Sequence, residues 1–157
     1  MLFRSEGKTS VHLNRFVSLD GGLTQVTNAF YRGTSPRVYV DSAPHTVANG
    51  GVTLSGWQGI YASLRYRHVG NYRLNGEDAT IRASGLDVVD LAITKSLRHW
   101  IDLNFDIDNL TGKAYYEAQN YFESRATPTA LPATRIHGTP GYPFGITAGI
   151  TFHLGGK

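Results

Sequence analysis

The sequence predicts an all-β chain, an antiparallel up-and-down meander of about six or seven strands. Three observations predict it. Apolar and polar residues alternate with a period of two over several stretches, as they do on a strand with one greasy and one wet face. The composition is rich in glycine and aromatics, with 18 Gly, 9 Tyr and 7 Phe, and only 17% of the residues are charged, against about a quarter in ordinary soluble domains. Long and short connections alternate along the chain. No convincing helical period appears.

The elements follow in order. Residues before Asn14 carry no clear pattern. Residues 17–30 read as a strand whose phase blurs at Gly21-Gly22, as at a bulge. Residues 47–55 set Val52 and Leu54 opposite Asn49, Gly51, Thr53 and Ser55. Ile60–Val69 sets Ile60, Ala62, Leu64 and Tyr66 opposite Tyr61, Ser63, Arg65 and Arg67. Residues 87–97 set Val89, Leu91, Ile93 and Leu97 opposite Asp90, Ala92, Thr94 and Ser96. Ile101–Asp108 is the cleanest case, with Ile101, Leu103, Phe105 and Ile107 against Asp102, Asn104, Asp106 and Asp108. Residues 144–152 set Phe144, Ile146, Ala148, Ile150 and Phe152 against Gly145, Thr147, Gly149 and Thr151.

The connections sharpen the class. Ser55-Gly56-Trp57-Gln58-Gly59 and Arg98-His99 are short turns. Residues 31–46, 70–86 and 110–143 are long and irregular, with Pro36, Pro44, Pro128, Pro132, Pro140 and Pro143 among them. In a meander this order puts the short turns at one end and the long loops at the other, as in outer-membrane barrels. Strands of eight to ten residues, tilted by about 45°, span a hydrocarbon layer of roughly 30 Å. Trp57 and Trp100 stand beside short turns. Tyr66, Tyr72, Tyr115, Tyr142 and Phe144 stand towards the long loops, like two interfacial girdles. The expected fold is therefore a partial transmembrane β-barrel. Asp102, Asn104 and Asp106 would line its wet interior, with Arg65 and Arg67 two strands away and Asp90 between. A soluble lipocalin-like binding barrel shares the alternation but would turn Ile101 and Phe105 inward.

Several functions are excluded or disfavoured. No apolar run is long enough for a transmembrane helix. Met1 to Gly7 lacks the apolar core of a signal peptide, which leaves a cytosolic chain or the later part of an exported one. The net charge of +3 is mild and the Lys and Arg are scattered, so no nucleic-acid partner is expected. There is no Cys, hence no disulfide or thiolate chemistry. His12, His45, His68, His99, His137 and His153 are dispersed without metal-ligand spacing, although His45 and His137 fall in loops. The period of two in Asp102, Asp106 and Asp108 marks a strand face rather than an acid–base pair. No phosphate-cradling loop or nucleophile elbow occurs. No catalytic, cofactor-binding or metal-binding residue is predicted, and the chain does not read as an enzyme. Asn109-Leu110-Thr111 matches a glycosylation triplet of the kind that arises by chance.

Asn109-Leu110-Thr111-Gly112-Lys113-Ala114-Tyr115 resembles a segment near the C-terminus of TonB-dependent outer-membrane receptors, where it ends the penultimate strand and opens the last extracellular loop. Residues 144–152 resemble the closing strand of that family. Ala43-Pro44-His45-Thr46 with Val52, and Tyr66-Arg67-His68-Val69-Gly70-Asn71-Tyr72, resemble passages further upstream. The match covers roughly residues 17–152. It departs in two ways: His153-Leu154-Gly155-Gly156-Lys157 runs past the final aromatic, and neither a plug domain nor the box gripped by the energising partner is present.

The resemblance implies that residues 1–157 are the C-terminal segment of a receptor barrel, a truncation or an excised piece of a 22-stranded whole. It implies the bacterial outer membrane, with lipid, the remaining barrel and plug, and TonB (through the missing N-terminal part) as partners. The complete protein would take up a ferric siderophore or a similar large, scarce solute with TonB-derived energy. From charge, Arg73, Arg82, Tyr115, Tyr116, Arg125 and Arg135, with Arg32 and Arg37, are the expected contacts for an anionic chelate. Besides the lipocalin-like barrel, the alternative is a complete eight-stranded outer-membrane barrel with a structural or adhesive role.

Overall fold

A computed structural model of the protein describes residues 3–27 and 29–154. The strands are β1 (Phe3–His12), β2 (Val17–Thr27), β3 (Thr46–Trp57), β4 (Ile60–Val69), β5 (Tyr72–Arg73), β6 (Arg82–Ala83), β7 (Leu86–Arg98), β8 (Ile101–Asp108), β9 (Tyr116–Ser124), β10 (Ala133–Pro140) and β11 (Gly145–Phe152). Seven of them form one antiparallel sheet in the order β1-β2-β3-β4-β7-β8-β11. β9 and β10 form a separate hairpin, and β5 and β6 a two-residue ladder. Neighbours in the main sheet are neighbours in sequence once these loop strands are set aside, so it is an up-and-down meander.

The connections are sorted as the sequence predicts. Residues 13–16, 58–59 and 99–100 turn the chain at one end, and residues 29–45, 70–85 and 109–144 lie at the other. At the two-residue turn Gln58-Gly59, φ is positive at both residues (51° and 73°). That backbone matches the right-handed twist of a two-residue hairpin, and Gly59 adopts it without steric cost.

Four expectations need correction. Residues 3–12 pair along their whole length with β2, although they carry no alternation. Gly21-Gly22 is no bulge: the registers of β2 with β1 and with β3 run through it unbroken. In the main sheet the irregularities lie instead beside short turns, between Leu54 and Trp57 and between Ser96 and Arg98, and a third breaks the β9–β10 ladder between Thr139 and Pro140. The strand from Val17 ends at Thr27, and Phe30 makes only an isolated bridge to Tyr39. Finally, residues 110–143 are not a structureless loop, since they fold back as β9–β10.

Residues directly opposite in a ladder share a face, so the register assigns every side chain a side. One row crosses all seven strands as Val11, Leu19, Val52, Leu64, Leu91, Ile107 and Ile146. The next apolar row is Val17, Leu54, Ala62, Ile93, Phe105 and Ala148. Between these two rows, on the other face, run His12, Ser18, Thr53, Ser63, Ala92, Asp106 and Thr147.

The apolar face is not folded into a core. Leu103 and Phe105 are each 39% exposed, Ile146 55% and Ile150 58%. This rules out the lipocalin-like arrangement, in which Ile101 and Phe105 would be sealed inside. Nor does the sheet close on itself as an eight-stranded barrel, because β1 and β11 are its two edges among the described residues. The buried apolar residues Ala29, Leu74, Ala83, Leu86 and Val88 gather instead at the long-loop end. The small core is therefore where the loops pack, not where the sheet is most apolar.

Candidate functional site

The polar face is held by charge pairs that reach across strands. Asp20, Gly51, Arg65 and Asp90 lie in one row over β2, β3, β4 and β7. Arg65 reaches over β3 to Asp20, with Nη1 donating to both carboxylate oxygens at 2.8 and 2.7 Å. Gly51 makes the crossing possible, since a Cβ there would stand 2.7 Å from Arg65 Nη1. Asn104 accepts from Thr94 Oγ1 at 3.0 Å and donates to Thr151 at 2.7 Å. Asp102 meets His153 Nε2 at 2.8 Å. The face expected to carry Asp102, Asn104, Asp106, Arg65, Arg67 and Asp90 carries them.

At the long-loop end, residues 29–45 and 70–85 pack on each other. The Tyr39 amide donates to the Gly76 carbonyl and the Ser42 amide to the Arg73 carbonyl, each at 2.9 Å. Gly76 is needed there because a Cβ would strike the Tyr39 carbonyl. The side chains form a ladder of cations and rings. Arg37 lies 4.4 Å from the Phe30 centroid, Phe30 meets Tyr39 edge-on at 6.4 Å, and Arg73 lies 4.2 Å from the Tyr39 centroid. Such contacts contribute about 0.5–1 kcal/mol each at exposed sites. Arg82 stands directly opposite Arg73 in the β5–β6 ladder. Among the described residues, none of Arg37, Arg73 and Arg82 pairs with a carboxylate. Three cations and two rings thus share one loop surface.

The remaining candidates fall elsewhere. Tyr115 and Tyr116 sit at the base of the β9–β10 hairpin, where their rings lie over Gly141 and Gly138. The Tyr115 hydroxyl donates to Glu117 at 2.9 Å. Burial, then that bond, pushes its hydroxyl pKa up. Arg125 follows β9 and Arg135 lies on β10, both exposed. His137 stacks on Phe122 at 4.1 Å and bonds Ser124 at 2.9 Å. It belongs to a hairpin rather than to an open loop. The structure therefore brings Arg73 and Arg82 together on the β5–β6 ladder, while Tyr115 precedes the β9–β10 hairpin, Tyr116 and Arg135 lie in its strands and Arg125 follows β9.

Sequence reasoning missed three participants. Phe30 and Tyr39 read as a strand end and a loop residue, and only the packing of two loops reveals their role. Asn109 read as part of a motif and of a chance triplet, yet it is 1% exposed with φ at 48°. Its Nδ2 donates to the carbonyls of Lys113 at 2.8 Å and Tyr142 at 3.1 Å, tying together both sides of the last loop's neck. Its backbone N–H donates to Asp90 at 2.9 Å.

Sorted loops, an open apolar face and a polar face with paired charges define a segment of an outer-membrane-type β-barrel. Solved structures of TonB-dependent receptors share this fold. The copper transporter OprC matches over 96% of this chain and 24% of its own, at 17% identity and a TM-score of 0.69. The ferric-catecholate import receptor Fiu of E. coli matches over 95% and 20%, at 15% identity and 0.67. The ferric enterobactin receptor PfeA of Pseudomonas aeruginosa, a mutant in complex with enterobactin, matches over 94% and 22%, at 14% identity and 0.57. The chain thus spans about a fifth to a quarter of the length of these proteins. No family model matches it, and no curated protein matches it in sequence.

Proposed function

We propose that the chain is a stretch of the wall of a bacterial outer-membrane receptor, its C-terminal barrel segment, with lipid against the apolar face. The complete protein takes up a large, scarce, anionic solute of the ferric-siderophore type with energy delivered through TonB. One observation carries the membrane part: the apolar row from Val11 to Ile146 crosses all seven strands with no layer packed on it. An exposed apolar area of that extent marks contact with another apolar phase.

The solute part is supported by the Arg37, Arg73 and Arg82 cluster with its two rings, and by what the fold neighbours are named for. A planar cation held over an aromatic face suits an anionic, ring-bearing chelate. Arg73 and Arg82 are the contacts of choice. Tyr115, Tyr116, Arg125 and Arg135 belong to the β9–β10 hairpin and its ends and are the secondary set.

Flotation with liposomes tests the membrane reading. The refolded chain should rise with the lipid, and a chain left in solution without detergent contradicts the proposal. For the solute, ferric enterobactin serves as a probe against the receptor that contains this segment. Replacing Arg37, Arg73 and Arg82 together by Ala should weaken binding at least about tenfold, equivalent to ~1.4 kcal/mol. An unchanged affinity removes the cluster from the account.

A further inference from the structure

We propose that the short-turn end of the sheet carries a site for an anionic phospholipid headgroup, with Arg98 on its phosphodiester, Lys95 as a second cation and the Trp100–Phe152 pair beside its upper acyl chain. The inference rests on the reading that the apolar face meets lipid.

The register aims these side chains. On β7, Leu91, Ile93 and Lys95 alternate outward onto the apolar face. Unbroken alternation would turn Arg98 to the polar face. The ladder slips between Ser96 and Arg98, so Arg98 stands opposite Ile101. Ile101 is also the partner of Phe152, and residues opposite each other share a face. The slip therefore brings Arg98 to the lipid side. β3 behaves in the same way. Val52 and Leu54 face outward, so alternation would turn Trp57 inward. A slip between Leu54 and Trp57 sets Trp57 opposite Ile60 instead. Both slips of the main sheet lie at this end, and each delivers an interfacial side chain, an indole or a guanidinium, to the apolar face. Re-aiming a side chain is what such bulges do at the rim of a barrel.

The surroundings of Arg98 are held from both sides. The Ser96 amide donates to the Gly59 carbonyl at 2.8 Å and Lys95 Nζ to the Gln58 carbonyl at 2.6 Å. The β3–β4 turn is thereby tied to β7 next to the slip. Gly59 permits the approach, since a Cβ there would stand 3.1 Å from the Ser96 carbonyl oxygen. On the other side the His153 amide donates to the Trp100 carbonyl at 2.9 Å. The Trp100 ring stacks on Phe152 at 6.3 Å, with 14° between the planes. Two stacked rings fixed to the strands make a flat apolar wall beside the cation.

Charge identifies the ligand. Among the described residues, neither Arg98 nor Lys95 pairs with a carboxylate. Asp102, the acid on β8 at this end, belongs to the polar face and is taken by His153 at 2.8 Å. The partner of Lys95 is a neutral carbonyl, so its charge stays uncompensated. Two uncompensated cations at the rim of an apolar band fit an anion that is itself part of the apolar phase. A phospholipid meets both demands. The guanidinium fork takes two phosphodiester oxygens, the acyl chain continues along the rings, and basic groups at a membrane surface draw anionic lipids.

The chain has two Trp, so Trp57→Phe leaves Trp100 as a single reporter in the refolded full chain. Phosphatidylcholine vesicles carry a minority of lipid brominated on its acyl chains, either phosphatidylglycerol or phosphatidylcholine. Quenching of Trp100 gives the relative association of the two. The brominated phosphatidylglycerol should associate at least about threefold more tightly. Arg98→Gln should abolish that preference, and Arg98→Lys should keep part of it. Arg4→Gln removes the same charge at the long-loop end, where Arg4 pairs with Glu6, and should leave the preference unchanged. Equal quenching by both lipids, an undiminished preference in Arg98→Gln, or an equal loss in Arg4→Gln overturns the site. Loss of the preference to soluble glycerophosphate at matched ionic strength overturns the lipid assignment in favour of a free phosphate. Flotation with pure phosphatidylcholine vesicles tests the membrane reading separately, so a chain that floats without any preference sinks the headgroup site alone.

Discussion

At the residue scale, two residues make sharp claims. Asn109 holds a left-handed backbone and satisfies two carbonyls that the loop neck leaves in a part-buried place. Removing a donor from such groups costs about 1–3 kcal/mol each. Asn109→Ala should therefore destabilise the protein by roughly 2–4 kcal/mol. Asn109→Gly, which keeps the conformation but loses the bonds, should cost about 1 kcal/mol less; denaturant unfolding in detergent measures both. Gly51 makes the second claim. Gly51→Val places branched carbon where Arg65 passes, so the bond to Asp20 opens. The expected loss is small, about 0.5–1 kcal/mol, because the pair is exposed. A double-mutant cycle with Asp20→Asn should show that the two effects do not add. The inward side of Arg65 and Asp102 follows from parity within one strand and was legible, whereas that of Asp20 was not, because the phase of residues 17–30 blurs at Gly21-Gly22. The Arg65–Gly51–Asp20 crossing was not, because it depends on the register of three strands, which no single segment contains.

Elements were legible where one whole face is apolar. β4, β7, β8 and β11 alternate because each presents a full column to the open apolar face. β1 does not: its residues on that face are Phe3, Ser5, Gly7, Thr9 and Val11, apolar only near the ends. Its order comes from pairing with β2, so its amides should exchange faster than those of β4 and β7 by at least about a hundredfold in this chain, as an edge strand with one neighbour. β9 and β10 escaped notice for a related reason. Phe122 and Ile136 are each half exposed, and no core selects one face of the hairpin. The two outer loops hold each other through Gly76. Gly76→Ala should push Tyr39 away, at about 1–3 kcal/mol for a forced fit, and make residues 29–45 and 70–85 more open to limited proteolysis. Asp78 gives the same region a pH dependence. Bonds from the Thr80 hydroxyl, then the Thr80 amide, hold its carboxyl below the ordinary value of 3.8. A depressed folded value contributes stability above the unfolded one and loses it as pH falls through the folded one. Exchange protection around Thr80 should stay level from about pH 7 to 5 and fall below about pH 4, and Asp78→Asn should flatten the curve.

At the scale of the whole molecule, loop sorting and the open apolar face make one statement about orientation. The short turns carry Trp57 and Trp100, and Trp100 stacks on Phe152 at 6.3 Å, so these rings mark one boundary of the apolar band. Lys95 shares the apolar face with Ile60 and Leu103. Its ammonium leaves that face to bond the Gln58 carbonyl at 2.6 Å in the short turn, as a snorkelling lysine does near a membrane boundary. The fold class was legible because hydrocarbon thickness sets strand length and water sets loop length, and both are written in spacing. The solute site was less so, since it arises where two irregular loops meet. The most direct test of the account is an accessibility scan of β8 and β11 in lipid, one nitroxide at a time. Labels at Leu103, Phe105, Ile146 and Ile150 should collide with dissolved oxygen and not with a water-soluble nickel chelate, while labels at Asp102, Asp106 and Thr147 do the reverse. If the first four prove shielded from both reagents, and Asp102 and Asp106 meet lipid, the apolar face is an interior and the account is contradicted.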